Sequence, residues 1–415
     1  MNTELITQAK LAKEASVSLA LATTDEKNRA LGLIADALIE KSDVILAANK
    51  LDIDAATAKG TGSAMIDRLT LTEARIADIA EGVRQVASLP DPVGEVIESF
   101  ERPNGLKIRK VRVPLGVIGM IYEARPNVTV DAAVLALKAG SAVLLRGSGS
   151  ALNSNLAIVK VMRKALAKTA IPEDAIALVG GVSHDVVDEM MSLRGYIDLM
   201  IPRGGAGLIR RVVDGCRVPV LETGVGNCHI YVDKYADAQM AEKILINAKT
   251  QRPAVCNAAE TLLVHADRRD TALALCESLK AAGVTVHGCP EICKIFPEAI
   301  PAEEVDYTDE YLSLHMAVKI VENEDEAIAH IRRYGTGHTE AIITDCPDAA
   351  EKFTRQVDAS SVNVNASTRF TDGFQFGFGA EIGISTQKMH ARGPLGLREI
   401  TSFKFIVEGT GQIRS

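Results

Sequence analysis

From residue 114 to residue 225 short apolar runs alternate with helical stretches, and this alternation restricts the possible folds more than any other feature. The runs are Gly116–Tyr122, Ala142–Leu145, Ala175–Val179, Asp198–Ile201 and Val218–Leu221. Strands that recur after helix-length spacers are joined by crossovers. The pattern therefore predicts a parallel sheet with helices on its faces, able to hold a nucleotide at its strand ends. A second α/β pattern runs from Cys228 to about residue 400, with strands expected at Thr261–Val264 and Ala341–Thr344 and helices over 237–249 and 269–283. At 415 residues the chain exceeds the size that one hydrophobic core usually serves, which fits two lobes.

Three stretches stand outside this rhythm. Residues 1–92 carry Leu, Ile and Ala at three- and four-residue spacing and read as helices. Residues 93–113 alternate apolar and charged residues on both sides of Pro103-Asn104-Gly105, the mark of a β-hairpin. The tail, 400–415, reads as an extended strand and a partner for that hairpin. A half-apolar ribbon of this kind suits pairing with a second subunit, so a homo-oligomer is expected.

Composition removes several classes of function. A net charge of −8 provides no basic field for a polyanion, so nucleic acid is not an expected partner. The N-terminus lacks the apolar core of a secretory signal, and no apolar run approaches the roughly 18 residues of a membrane span. Seven cysteines, an odd number spread along the chain, read as reduced thiols of a cytoplasmic protein. Cys289 and Cys293 form a close pair, but without a second pair they predict no metal site.

Two segments carry candidate chemistry. Cys256 follows a proline-punctuated loop with Lys249 and Arg252 close by, a setting that favours thiolate, the nucleophilic form. Taken alone, Cys256 reads more readily as a small buried apolar residue, as most cysteines do. Asn127 follows the strand-like run ending at Tyr122. There its amide could donate to an oxyanion at the sheet edge, or it could cap the helix that follows.

Together with further motifs these segments resemble the aldehyde dehydrogenase superfamily. The motifs are Pro114-x-Gly116-Val117-x-Gly119 running to Pro126-Asn127, Ala139-Gly140-x-x-Val143-Leu144-Leu145-Arg146, the turn Arg203–Gly207, Leu221-Glu222-Thr223-Gly224 and Cys256. Tyr122–Asp131, Ile201–Leu208, Lys249–Cys256, Val321–Ile342 and Asn363–Gly373 resemble the branch that acts on an acyl phosphate. The likeness runs from about residue 8 to the end of the chain.

The resemblance implies a Rossmann-type cofactor lobe (1–92 and 114–225), an α/β catalytic lobe (226–399) and oligomerisation strands (93–113 and 400–415). It implies reduction of L-glutamyl 5-phosphate with NADPH in proline biosynthesis, through a thioester on Cys256, and possible coupling to glutamate 5-kinase. Asn127 and the Cys256 backbone N–H would face the oxyanion. Arg125, Arg252, Arg369 and Asp372 are the expected substrate ligands, and Arg146, Ser148, Gly205 and Glu310 the expected cofactor ligands. Glu222 stands where hydrolytic members keep a water-activating base. Water would waste an acyl phosphate, so Glu222 reads here as cofactor-side or structural. His330 and His338 read as packing or capping residues.

Overall fold

The computed structural model describes residues 2–180 and 183–414, and the chain divides into two compact units. The first comprises residues 1–222, 377–383 and 395–415, and the second residues 223–376 and 384–394. The sequence predicts a boundary at 225/226, with all of 226–399 in one lobe. The observed division falls three residues earlier, and two short segments return to the first unit.

In the first unit five helices come first: α1 (Thr3–Leu19), α2 (Thr24–Glu40), α3 (Ser42–Ala58), α4 (Ser63–Leu69) and α5 (Glu73–Ser88). The expected hairpin follows as β1 (Val96–Glu101) and β2 (Lys107–Pro114), with Gly105 at φ +84° in its turn, a value that favours glycine. The strand Thr401–Glu408 pairs antiparallel with β2 along its whole length, from Thr401 opposite Pro114 to Glu408 opposite Lys107.

The parallel sheet consists of β3 (Val117–Tyr122), β4 (Ala142–Arg146), β5 (Ile176–Leu178) and β6 (Leu199–Arg203), in the order β5-β4-β3-β6. Every residue of β3 is buried, as the unbroken apolar run requires of a strand covered on both faces. The order reverses between β3 and β6, and in open parallel sheets the carboxyl ends of the strands at such a point are where ligands generally bind. The fifth expected strand, Val218–Leu221, forms only an isolated bridge between Val220 and Met200. Pro219 has no N–H to donate and cannot sustain a ladder there. Helices α6 (Pro126–Lys138), α7 (Leu152–Leu166), α8 (His184–Met191) and α9 (Ala206–Gly215) complete this part.

The second unit is built on a seven-stranded parallel sheet. Its strands are β7 (Cys228–Val232), β8 (Ala259–His265), β9 (Thr285–Gly288), β10 (Ile300–Pro301), β11 (His315–Val321), β12 (Thr339–Ile343) and β13 (Ser361–Val364), in the order β10-β9-β11-β8-β7-β12-β13. Helices α10 (Ala238–Thr250) and α11 (Arg269–Ala281) lie where the sequence placed them. Ile230, Leu245, Leu262, Leu275 and Val318 belong to the apolar core that joins helices to sheet.

Candidate active site

In the second unit the residues expected to do chemistry gather at the amino ends of the strands. Cys256 lies in the loop between α10 and β8 and is half-buried. The backbone of Gly226 runs against it so closely that a Cβ at Gly226 would come within 1.5 Å of the Cys256 carbonyl oxygen, so only glycine fits. The buried Cys228 thiol donates to that carbonyl at 3.2 Å. Desolvation raises the Cys228 pKa well above the ordinary thiol value, with Glu340 and the Cys256 sulfur adding to the rise, which keeps Cys228 protonated.

The segment 367–373 docks on this loop. Thr368 Oγ1 donates to the Asn257 carbonyl at 2.7 Å, and Asn257 Nδ2 donates to the Thr371 carbonyl at 2.9 Å. Arg369 Nε donates to Gln251 Oε1 at 2.9 Å. Burial, then the neighbouring Arg252, lowers the Arg369 pKa, while Asp372, Cys256 and Cys228 act in the opposite sense. Arg369, Arg252, Asp372 and Cys256 therefore share one electrostatic neighbourhood. Asp372 Oδ1 accepts from the Phe374 and Gln375 amides at 3.0 and 3.2 Å, which fixes its carboxylate in a turn.

Glu310 precedes β11, and its Oε1 accepts the Gly226 N–H at 2.8 Å. Burial raises its pKa, and the Gly226 bond partly offsets the rise. Lys249 was expected to lend positive charge to Cys256, but the structure pairs it with Glu260, both side chains being fully buried. Glu260 takes up the lysine's donors, and Arg369, with Arg252 next to it, is the cation that interacts with the Cys256 sulfur.

In the first unit Asn127 is the second residue of α6 rather than its cap. Pro126 occupies the first helical position with its φ already set, so Arg125 is the N-cap residue. Asn127 Nδ2 donates to Asp131 Oδ2 at 3.0 Å, one helical turn on. Desolvation pushes the Asp131 carboxyl up to about 6, with Asn127 and Arg203 opposing the rise. Arg125 is exposed.

Arg146 ends β4, and its Nη2 donates to the Ser183 carbonyl at 3.3 Å. Burial and the nearby Arg211 lower its pKa, so two guanidinium groups lie close together there. Ser148 caps the short turn after β4 by accepting the Ser150 N–H at 3.2 Å. Gly205 precedes α9, but its N–H goes to Glu123 Oε2 at 2.9 Å. The Glu123 carboxylate thus takes the place expected for a cofactor anion. Glu222 directly follows Leu221 and closes the first segment of this unit.

His330 is buried in α12 (Glu324–Tyr334), against the rings of Tyr307, Tyr334 and His229. Desolvation lowers its pKa to about 3, so it stays neutral there. His338 is also buried, with Nδ1 2.9 Å from Thr339 Oγ1.

The profile of the aldehyde dehydrogenase family matches residues 2–286. The gamma-glutamyl phosphate reductase of Carboxydothermus hydrogenoformans is 58% identical over 412 residues, 99% of each chain. That of Halalkalibacterium halodurans is 56% identical over 413 residues, again 99% of each. The crystal structure of gamma-glutamyl phosphate reductase from Thermotoga maritima superimposes with a TM-score of 0.98 at 52% identity, covering 99% of this chain and 100% of the other. The chain belongs to the gamma-glutamyl phosphate reductases of the aldehyde dehydrogenase family.

For this reductase the fold class expected from sequence is the one observed. Reading the sequence missed Gly226, Cys228, Glu260 and Asp131. Asp131 carried a signal, its four-residue spacing from Asn127 on a helix. Gly226 and Cys228 meet the Cys256 backbone from the start of β7, far off in sequence, and Glu260, although on the strand that follows the loop, is tied to it by contacts that local sequence does not reveal. Among the described residues no group of three or more His, Cys, Asp or Glu is placed to hold a metal ion, and no helix is long and apolar enough to cross a membrane.

Proposed function

We propose that this enzyme reduces L-glutamyl 5-phosphate to L-glutamate 5-semialdehyde with release of phosphate, using NADPH and a thioester on Cys256, as the second step from glutamate to proline. The observation that carries the reading is a half-buried thiol sharing its surroundings with Arg252, Arg369 and Asp372. Two cations and a carboxylate match the phosphate, α-carboxylate and ammonium of such a substrate. Full-length similarity to gamma-glutamyl phosphate reductases supports the same reading.

The Cys256 sulfur attacks the acyl carbon, the bond to the phosphate oxygen breaks, and inorganic phosphate leaves with the electron pair. The Cys256 backbone N–H is assigned to the developing oxyanion, and Asn127 joins it by resemblance. Loss of one such donor typically costs about 10²- to 10³-fold in rate. When bound, NADPH supplies a hydride to the acyl carbon of the thioester. Collapse of the thiohemiacetal on Cys256 then frees the aldehyde and restores the thiol.

The residues suit this cofactor. Glu310, anchored by Gly226, offers a carboxylate to a ribose, and the Arg146–Arg211 neighbourhood offers positive charge to a 2′-phosphate, with Ser148 nearby. Arg125 is assigned to the substrate. The sheet formed by β1, β2 and Thr401–Glu408 exposes Phe100, Phe403, Phe405 and Val407 on one face, an apolar surface suited to pairing with a second copy of the chain. Glutamate 5-kinase would supply the acyl phosphate, and a cytoplasmic setting fits both enzymes.

The decisive assay runs the reaction backwards. Oxidation of glutamate 5-semialdehyde by NADP+ requires phosphate or arsenate on this reading, and phosphate-independent turnover overturns it in favour of a hydrolytic enzyme. Cys256→Ser is expected to lower kcat at least about 10⁴-fold with little change in melting temperature.

A further inference from the structure

Lys249 stands in the last turn of α10 and Glu260 is the second residue of β8, so their ion pair ties together the two stems of the loop that carries Cys256. Both side chains are fully buried, and withdrawing two charges from water costs several kcal/mol per ion before their attraction offsets it. Two apolar side chains of similar volume would close the same loop without that cost, so the pair calls for a role beyond packing.

The second carboxylate oxygen of Glu260 shows where that role lies, for it accepts the Leu312 N–H at 3.3 Å. Leu312 has φ +52°, a left-handed conformation that costs a residue bearing a Cβ about 1–2 kcal/mol. Glu260 therefore holds a backbone that the Leu312 side chain disfavours. Two residues earlier Glu310 grips the Gly226 N–H, and Gly226 presses on the Cys256 backbone. The contacts close a ring from the Cys256 loop through Glu260, Leu312, Glu310 and Gly226 back to Cys256.

We propose that Glu260, held by Lys249, is a positioning residue that couples Glu310 to Cys256 through Leu312 and Gly226. It rests on the reading of Cys256 as nucleophile and Glu310 as the cofactor-side acid. Other groups near the pair are Tyr311, whose ring centre is 5.8 Å from Lys249 Nζ, together with Cys228, Glu310 and His315.

Two double variants of the full-length enzyme isolate the bond to Leu312. K249M/E260Q removes both charges but keeps an acceptor for the Leu312 N–H, whereas K249M/E260L removes the acceptor as well. The leucine variant should show kcat lowered about 10- to 100-fold, the scale of a small misplacement of reacting groups, with KM for the acyl phosphate within about threefold of wild type. Its Cys256 should react more slowly with iodoacetamide, followed by mass spectrometry, and its NADPH dissociation constant should rise. The glutamine variant should recover most of each loss. Wild-type kcat and alkylation rate in the leucine variant would sink the proposal, and so would equal impairment of the two variants, which would mark a packing effect. If the leucine variant does not fold, E260D, which keeps the charge but shortens the reach to Leu312, is read against the same outcomes. Alkylation of Cys256 needs no turnover. The coupling is therefore tested even if C256S proves active and the thioester reading fails.

Discussion

Each unit contains a buried lysine–carboxylate pair, and the two pairs differ in what their remaining bonds reach. In the first unit Lys27 of α2 meets Asp91, just after α5, at 2.8 Å, with side chains 1% and 8% exposed. Asp91 also accepts from Thr24 Oγ1 and the Val93 N–H, both at 3.0 Å, and Lys27 Nζ lies 3.4 Å from the Lys138 carbonyl of α6. All of these bonds join helices and turns of one scaffold. In the second unit the Lys249–Glu260 pair brackets the thiol loop, and its spare oxygen holds a backbone in a disfavoured conformation. A buried ion pair is thus no guide to function in itself. Its function is set by the groups its remaining donors and acceptors hold in place.

The largest effect that separates the two pairs is on stability. Asp91→Leu leaves the Lys27 ammonium buried without its counter-charge and is expected to cost about 3–5 kcal/mol in denaturant unfolding, with kcat of the folded fraction unchanged. Adding Lys27→Met should recover most of that loss. If D91L instead lowered kcat at unchanged stability, the contrast between a structural pair and a positioning pair would be broken.

A smaller effect concerns pH. Burial pushes the Glu260 carboxyl from its ordinary 4.5 up to about 7, against the pull of Lys249. Between those values the folded protein keeps a proton that the unfolded chain releases, so this group makes stability fall as pH rises through the window. Buried His330 acts with the opposite sign. Its pKa is lowered from 6.5 to about 3, so the unfolded chain takes up a proton that the folded one refuses, and stability falls as pH drops below 6.5. The His330 contribution is common to wild type and K249M/E260Q and cancels between them. The melting temperature of the variant should therefore gain on wild type by a few degrees between pH 4.5 and 7. A constant difference across that range would show that Glu260 does not titrate there.

The architecture was legible wherever the signal was local. Hairpin and turn were readable from alternation around Pro103-Asn104-Gly105, and the four strands of the first parallel sheet and two of the second, β8 and β12, from apolar runs. Two errors were local as well, each caused by a proline: Pro219 prevents a strand, and Pro126 starts α6 one residue before Asn127. Of the candidate site, the sequence singles out Cys256 and the loop 367–373, which docks beside it. Its support was not, because Glu260 and Leu312 are 52 residues apart in sequence and Gly226 and Glu310 are 84 apart. Parallel sheets generally meet ligands at the carboxyl ends of their strands, where Arg146 closes β4, but Cys256 and Glu310 precede β8 and β11 and Cys228 opens β7.

The smallest expected effect removes a third pair, one that has the same ionic chemistry but no burial. Lys50 and Asp54 lie four residues apart on α3, 2.8 Å from each other, with side chains 72% and 58% exposed. Water screens both charges, and holding two flexible chains together costs entropy, so Lys50→Ala should change stability by no more than about 0.5 kcal/mol. The same truncation chemistry at Asp91 should cost several times that, because there the stranded partner cannot be hydrated. If K50A and D91L cost the same, ionic pairing rather than burial would set the energetics, and the distinction between the two buried pairs would lose its physical basis.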